Sequence, residues 1–180
     1  ATAETSQTVE PAIASKTEWP HYRGNPQLDG KSLGRIGNQP KLAWTYETQG
    51  EILSSPTIVD DTVYVGSTDN SIYAIDLTTG KKRWAYATPD MVEAPTLVID
   101  GLVYTGSSDG FLYALHADTG ELAWKFETQD KILGGANWFI GKDNKVRIVV
   151  GSYDANVYCL DQSGNKLWTY ETDNFVNGTP

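Results

Sequence analysis

The sequence predicts an all-β fold, a propeller of four-stranded antiparallel blades, and three observations support this class. Tryptophans recur at spacings of 40, 40 and 44 residues, at Trp44, Trp84, Trp124 and Trp168. Gly-Ser, Asp and Tyr positions keep the same phase. The 180 residues include six Trp and ten Tyr but one Met, which favours strands. Four short strands in about forty residues are typical of a propeller blade.

Within the first period, four strands are predicted at 52–59, 62–67, 71–76 and 81–88. The two middle strands carry apolar residues on both faces, so neighbouring blades must cover both sides. In the last strand, Trp84 and Tyr86 share one face while Ala85 points the other way, as expected of an outer strand. The repeats are predicted at 41–80, 81–120 and 121–164, the last lengthened by an insert near 141–145, and a fourth begins at 165–180.

The residues before the repeats are predicted to be irregular. The first 18 are small and polar and begin with Ala, which favours a flexible tether on a processed, exported protein of the periplasm or cell envelope. This tether is a candidate membrane attachment. Residues 19–40 form an arm broken by Gly and Pro, and we expect it to pack across the outside of the domain.

Charge and cysteine content exclude several functions. The formal net charge of −9 argues against nucleic-acid binding, which requires clustered basic residues. The one cysteine, Cys159, excludes an intramolecular disulfide and any multi-cysteine metal site. No apolar run is long enough to span a bilayer.

The segment 74–84, AIDLTTGKKRW, recurs as ALHADTGELAW at 114–124 and as CLDQSGNKLW at 159–168. Each copy predicts a joint between blades, in which the tryptophan N–H donates to a carbonyl of the neighbouring blade and a small residue leaves room for a large ring. His116 replaces the Asp of the second copy, and the third copy is one residue short, which predicts altered docking there. The residues assigned to these joints are Ala74, Asp76, Gly80, Trp84, Ala114, Gly120, Trp124, Asp161, Gly164 and Trp168.

This motif, A-x-D-x-x-T-G-x-x-x-W, resembles the tryptophan-docking repeat of the PQQ-like, or quinoprotein-type, β-propellers, and the resemblance extends over residues 19–180. The superfamily includes PQQ-dependent dehydrogenases and non-catalytic propellers such as the outer-membrane-assembly-factor-like ones. Because such propellers have seven or eight blades, the resemblance implies that this chain is an N-terminal part of one. About three blades would then be completed by further residues or by other chains.

The resemblance leaves the function open. Dehydrogenases of the superfamily tend to have an adjacent cysteine pair and an acidic residue three positions before the first inner-strand proline, where this chain has Leu53. No catalytic, cofactor-binding or metal residue is therefore assigned, and no cofactor is expected. The leading hypothesis is a non-catalytic exported module that binds or scaffolds proteins in the envelope. The alternatives are the N-terminal part of a PQQ-dependent alcohol or sugar dehydrogenase, with PQQ and calcium, and an extracytoplasmic sensor propeller.

The predicted fold brings two sets of loops to one face of the propeller. This surface, the loop face, is the candidate binding face. One set enters the innermost strands, and the other forms the middle hairpins. Asp69, Asp109 and Asp154 are predicted to cap these hairpins, with calcium binding as the alternative. The candidate binding residues are Gln49, Glu51, Asp90, Met91, Glu93, Gln129, Asp130, Lys131 and Asn174.

Overall fold

Three four-stranded antiparallel sheets form successive blades in the computed structural model, which describes residues 18–32 and 38–180. This confirms the predicted all-β propeller class. The tether residues 1–17 and the arm residues 33–37 lie outside the described residues.

The first blade contains β1 (Thr57–Val59), β2 (Thr62–Ser67), β3 (Ser71–Asp76) and β4 (Lys82–Ala87). The second contains β5 (Leu97–Ile99), β6 (Leu102–Gly106), β7 (Phe111–His116) and β8 (Leu122–Glu127). The third contains β9 (Asn137–Ile140), β10 (Val146–Gly151), β11 (Asn156–Asp161) and β12 (Lys166–Glu171).

The middle strands of each blade are buried on both faces, as their apolar pattern predicts. Ile72 and Ala74 of β3 pack with Val103 and Leu115 of the second blade. Another core lies between the second and third blades and includes Leu112, Ile148 and Leu160. In the outer strands β4 and β8, less exposed residues alternate with exposed ones, because one face of each strand meets solvent, whereas β12 is exposed throughout. The blades are therefore joined by two hydrophobic layers, one at each described blade-to-blade junction.

The innermost strand of the first blade is shorter than the sequence predicts, because 52–56 leave the ladder. Pro56 has no N–H to donate. Ser54 binds the next strand through its side chain instead: its Oγ lies 2.8 Å from the Gly66 nitrogen and 3.1 Å from the Gly66 oxygen. A serine hydroxyl thus replaces two ladder bonds at this point.

The arm lies along the innermost strands, so the prediction that it packs across the outside was wrong. Trp19 exchanges two backbone hydrogen bonds with Ile58 of β1, with N···O distances of 2.7 and 2.9 Å. The N–H of Val98 in β5 donates to the Pro20 carbonyl at 2.8 Å. The Asn137 amide of β9 donates to the Pro26 carbonyl at 3.1 Å. The innermost strands are the edges of their sheets, where backbone N–H and C=O groups have no partners within the sheet. The arm supplies hydrogen-bond partners for these groups.

His21 holds the arm in place from a fully buried position. Its Nδ1 lies 2.6 Å from the Tyr22 carbonyl and donates to it. Burial lowers the pKa of His21, and interactions with Tyr22, Ala136 and Asn137 only partly oppose that shift. The ring is therefore neutral at pH 7.

Acidification is expected to loosen the arm. A buried base with a lowered pKa favours the neutral folded state, so its contribution to stability is lost as the pH falls below the ordinary histidine pKa of 6.5. Amide exchange of Ile58 and Val98, corrected for the intrinsic rate, should therefore speed up between pH 7.5 and about pH 5.5. In His21→Gln, which does not titrate, this pH dependence should disappear. Equal pH dependence in both proteins would contradict the role of His21.

Two segments outside the sheets repeat the geometry of the blades. Residues 41–48 belong to no sheet in the described chain, yet Trp44 donates its indole N–H to the Leu77 carbonyl at 2.8 Å. Near the other end, the Val176 N–H donates to the Ser152 carbonyl at 2.9 Å.

The insert predicted near 141–145 is the hairpin between β9 and β10. Among the described residues, no helix is long and apolar enough to cross a membrane.

Candidate binding face

The two predicted sets of loops meet at one end of the strands, because every blade is antiparallel. Each middle hairpin binds the loop that enters its own blade. Thr68, Ser108 and Tyr153 donate their N–H groups to the carbonyls of Glu51, Met91 and Lys131, at 3.0, 2.8 and 2.9 Å. The structure thus brings the candidate binding residues of successive blades to one face.

Buried serines donate hydrogen bonds to the carbonyl groups of these loops. Ser107 Oγ lies 3.2 Å from the Asp90 oxygen and 3.1 Å from the Met91 oxygen, and Ser152 Oγ lies 3.0 Å from the Asp130 oxygen. Both serines are fully buried. The recurring Gly-Ser pairs in the sequence mark these positions.

A threonine opens each entering loop and caps it. The hydroxyls of Thr48, Thr88, Thr128 and Thr172 donate to the carbonyl two residues later, at 2.6–2.7 Å. Sequence reasoning missed these residues, although a threonine recurs two residues before Gly, Asp or Asn in every repeat. That spacing is typical of a hydroxyl-closed turn.

Two of the three hairpin carboxylates cap their hairpins as predicted, because Asp109 and Asp154 accept the N–H two residues later, each at 3.0 Å. All three also accept a hydrogen bond from a tyrosine of the following strand. The Tyr73, Tyr113 and Tyr158 hydroxyls donate to Asp69, Asp109 and Asp154 at 2.8, 2.6 and 2.7 Å. Burial alone would raise the pKa of Asp154, but hydrogen bonds from Gln129 and Tyr158 outweigh it and hold the pKa below its ordinary value.

The second blade differs because Pro89 replaces a glutamine. The N–H groups of Gln49 and Gln129 donate to Asp69 and Asp154, each at 2.9 Å. Pro89 has no N–H, so this bond is missing at Asp109. A cleft of about 580 Å³ lies beside it, lined by Ser108, Asp109, Gly110 and residues 127–131. The cleft therefore includes the candidate residues Gln129, Asp130 and Lys131.

Three of the candidate side chains shape their own loops. Asp90, Asp130 and Asn174 each accept the N–H of the following residue on a side-chain oxygen, at 2.8, 2.7 and 2.8 Å. Gln49, Glu51 and Met91 are exposed to solvent, and Glu93 is half-buried. The face is therefore a hydrogen-bonded frame that presents a small number of exposed side chains.

An aromatic stack that the sequence did not predict lies on the same face. The Tyr153 and Phe175 rings are 4.6 Å apart and nearly parallel, at 13°. The Lys131 ammonium lies 4.6 Å from the Tyr153 ring centre, on a cation–π contact. Phe175 remains 51% exposed. Because Tyr153 and Lys131 come from separate loops, only the fold could place them together.

The joints between blades are built from the recurring tryptophans and glycines. The Trp84 indole N–H donates to the Ala117 carbonyl at 2.9 Å, and the ring lies directly over Gly120. Trp124 likewise lies over Gly164 and donates to Gln162 at 2.8 Å. The residue that supplies the acceptor carbonyl lies three positions before the glycine at the Trp84 joint and two positions before it at the Trp124 joint. The third copy of the motif, which is one residue shorter, therefore still accepts the tryptophan hydrogen bond.

The other residues assigned to the joints occupy the strands and turns around them. Ala74 and Ala114 face Trp84 and Trp124 across their strand pairs. Asp76 accepts hydrogen bonds from Thr78, Thr79 and Arg83, and Asp161 accepts them from Ser163 and Asn165. At His116 the side-chain acceptor is lost, yet the turn keeps its backbone bond from Gly120 at 2.8 Å. Gly80 lies under Trp44, whereas Trp168 is 44% exposed.

Comparison with known families gives two matches to this chain. The family described as outer membrane protein assembly factor BamB matches residues 37–137. The chain belongs to this family. A second family, the lambda-carrageenase β-propeller domain, matches residues 99–179. The BamB match covers the first two blades and leaves the described arm residues 18–32 outside it.

Solved propeller structures resemble the chain beyond the BamB match. BamB from Moraxella catarrhalis is 24% identical, with a TM-score of 0.61 over 73% of this chain and 41% of that one. The quinohemoprotein alcohol dehydrogenase ADHIIG from Pseudomonas putida HK5 is 24% identical, with a TM-score of 0.76 over 87% of this chain and 27% of that one. The quinohemoprotein alcohol dehydrogenase from Comamonas testosteroni is 25% identical, with a TM-score of 0.73 and coverages of 89% and 28%. The chain therefore spans less than half of each. No curated protein matches it.

The residues that the structure describes include no group of three or more His, Cys, Asp or Glu side chains that could hold a metal ion. The hairpin carboxylates accept hydrogen bonds from tyrosine hydroxyls of the strands that follow them. Cys159 is buried within β11, opposite Trp168 and Val149, and lies away from the loop face. In this BamB-family chain, the hairpin carboxylates Asp69 and Asp154 support the loops that enter the blades.

Proposed function

We propose that this chain is part of a non-catalytic, exported β-propeller that binds protein partners in the cell envelope through its loop face. Membership in the BamB family supports this proposal. The name of that family describes an outer membrane protein assembly factor. The acidic character of the chain and its polar N-terminal residues are in keeping with an extracytoplasmic protein.

The observation that carries the proposal is the way the loop face is stabilised. Its threonines, buried serines and hairpin aspartates all hold loop backbone, so the face is preorganised. A rigid surface loses little conformational entropy on binding, which favours recognition of a partner. Met91 and Phe175 rise from this frame, with 43% and 51% of their surfaces exposed. Exposed apolar side chains on a rigid polar frame are typical of an anchor in a protein interface.

The ends of the described arc offer a second kind of surface. Leu42, Leu167 and Tyr170 are exposed there, next to the half-exposed Trp168. In a closed propeller such side chains are covered by the adjacent blade. We propose that further blades, or another chain, cover them in the whole protein, with strand addition as one available mode.

A partner-binding experiment distinguishes the two ends of the strands. Met91→Asp introduces a charge on the loop face, and Leu122→Asp introduces the same charge at a side chain of similar exposure, 42% against 43%, near the opposite end. Affinity purification from an extract of the source cell envelope should recover a specific partner with the wild-type protein and with Leu122→Asp. The Met91→Asp variant should recover it about tenfold less well, because an anchor side chain is lost. Equal recovery by both variants would contradict the proposal.

A quinone-dependent dehydrogenase is the second candidate, because two such enzymes superpose on this chain with TM-scores of 0.76 and 0.73. It would use PQQ and calcium over the same face. Among the described residues, no group of three or more His, Cys, Asp or Glu side chains is placed to hold the calcium ion. Titration of the intact protein with PQQ and calcium is expected to show no saturable binding. Stoichiometric binding together with dye reduction by an alcohol would establish the dehydrogenase instead.

A further inference from the structure

Apolar side chains are exposed on the loop face at two of the loops that enter blades. Met91 is 43% exposed in the loop before the second blade, and Phe175 is 51% exposed in the loop after the third. The Tyr153 ring covers one face of Phe175, so the two rings form a fixed aromatic surface. Exposed apolar groups on a rigid frame are suited to anchor a partner, and the surrounding charge indicates which partner fits.

The loop face carries almost all of the net charge of the chain. Its loops and the adjoining strand ends hold 11 of the 23 acidic residues and only one of the 14 basic ones, Lys131. The loop face alone therefore has a formal charge of −10, against −9 for the whole chain. The segments counted are 47–51, 68–70, 88–93, 108–110, 127–131, 153–155 and 171–175.

The carboxylates of the loop face are not neutralised by the chain itself. None of them forms an ion pair with a residue that the structure describes. Lys131 lies against the Tyr153 ring instead of a carboxylate. Segments 1–17 and 33–37, which are not described, contain one basic residue each, too few to balance the face. This charge therefore remains available to a partner.

The negative charge is spread over the face and not gathered at one point. In the described part of the chain, no three His, Cys, Asp or Glu side chains are grouped closely enough to hold a metal ion. Exposed carboxylates lie instead on loops of successive blades, for example at Glu51, Glu127 and Asp173. A field of one sign that extends across a surface is complementary to an extended surface of the opposite sign. This arrangement favours a protein partner over a single bound cation.

We propose that the loop face docks a basic segment of a protein partner, in which Arg or Lys residues flank an apolar side chain. Met91 and Phe175 contact the apolar side chain, and the surrounding carboxylates accept hydrogen bonds from the basic groups. Opposite charge also speeds the encounter and orients the partner. This inference rests on the proposed function, because it names the chemistry of the partner that the loop face binds.

Fluorescence anisotropy tests the sign of the partner's charge. The intact protein is titrated with a labelled peptide that alternates Arg and Leu, and with the same peptide carrying Glu in place of Arg. Saturable binding of the Arg peptide is expected, about tenfold weaker in about 200 mM than in about 50 mM salt, with no binding of the Glu peptide. Equal binding of the two peptides, no binding of the Arg peptide, or affinity that is independent of salt would overturn the proposal.

Two triple variants with the same change in net charge locate the binding surface. One neutralises three exposed carboxylates of the loop face, through Glu51→Gln, Glu127→Gln and Asp173→Asn. The control neutralises three exposed carboxylates near the opposite end of the strands, through Asp61→Asn, Asp118→Asn and Glu121→Gln. The loop-face variant should bind the Arg peptide about tenfold more weakly, and the control less than about twofold more weakly. Equal weakening would show a response to net charge alone and would overturn the proposal.

Failure of this inference can be told apart from failure of the proposed function. The same two triple variants are compared with Met91→Asp in affinity purification of the envelope partner. Recovery that falls in Met91→Asp and in the loop-face variant, but not in the control, is the expected result. Recovery that falls in Met91→Asp alone would leave the proposed function standing and would rule out a basic docking segment.

Discussion

Replacing Trp84 with alanine is expected to lower the free energy of unfolding by about 3–5 kcal/mol. The ring is 8% exposed and lies at the junction of the first two blades. It packs against Tyr64 with ring centres 5.8 Å apart, and its N–H binds the Ala117 carbonyl. Alanine would leave a cavity over Gly120, which is the larger cost. It would also remove one of the two donors to the Ala117 carbonyl, which keeps the hydrogen bond from the Tyr64 hydroxyl at 3.1 Å.

The matched control for this change is Trp168→Ala. Trp168 has the same place in the repeat but is 44% exposed, so its loss should cost only about 1 kcal/mol. Urea titration of the two variants and the wild type measures both effects. A cost below about 1 kcal/mol for Trp84→Ala, or equal costs for the two, would contradict the role of this ring between blades.

Replacing Gly106 with alanine is expected to cost about 3 kcal/mol, because the site has no room for a methyl group. A Cβ at this position would lie 2.6 Å from the Cβ of Ile132 and 2.8 Å from its carbonyl oxygen. Ile132 is fully buried in the loop that enters the third blade, so it has nowhere to move. The loop would therefore be displaced from the second blade.

Gly101→Ala separates crowding from backbone strain. Gly101 adopts a positive φ of 75°, yet a Cβ there would meet nothing within 4 Å. Its replacement should cost about 1 kcal/mol, from the left-handed backbone alone. Thermal and urea unfolding should rank Gly106→Ala well below Gly101→Ala in stability. The reverse order would show that close packing at Gly106 is unimportant.

Local patterns in the sequence were sufficient to predict the strands and their stacking. The predicted bounds 62–67 and 71–76 are those of β2 and β3, because a two-sided apolar pattern between tight turns leaves little freedom. The tryptophan spacing predicted a carbonyl partner for Trp84 in the next blade, and the structure has one in Ala117. Because these features occur in every repeat, the pattern in one repeat strengthens the prediction for the others.

Features that depend on single, long-range contacts could not be predicted in this way. The arm binds Ile58 and Val98 through backbone groups, which carry no side-chain signature. The stack of Tyr153 and Phe175 joins two loops and occurs once, so no period indicates it. Sequence reasoning therefore located the loop face but not its aromatic stack.

Site-specific photo-crosslinking tests the binding role of the loop face most directly. A benzophenone amino acid is placed at Met91 on that face, or at Leu122 near the opposite end, and each protein is irradiated in intact source cells. Crosslinking of the same protein partner from Met91, with none from Leu122, is the predicted result. Crosslinks that are equal at both positions, or absent from Met91 while purified protein binds PQQ with calcium, would contradict the proposed function.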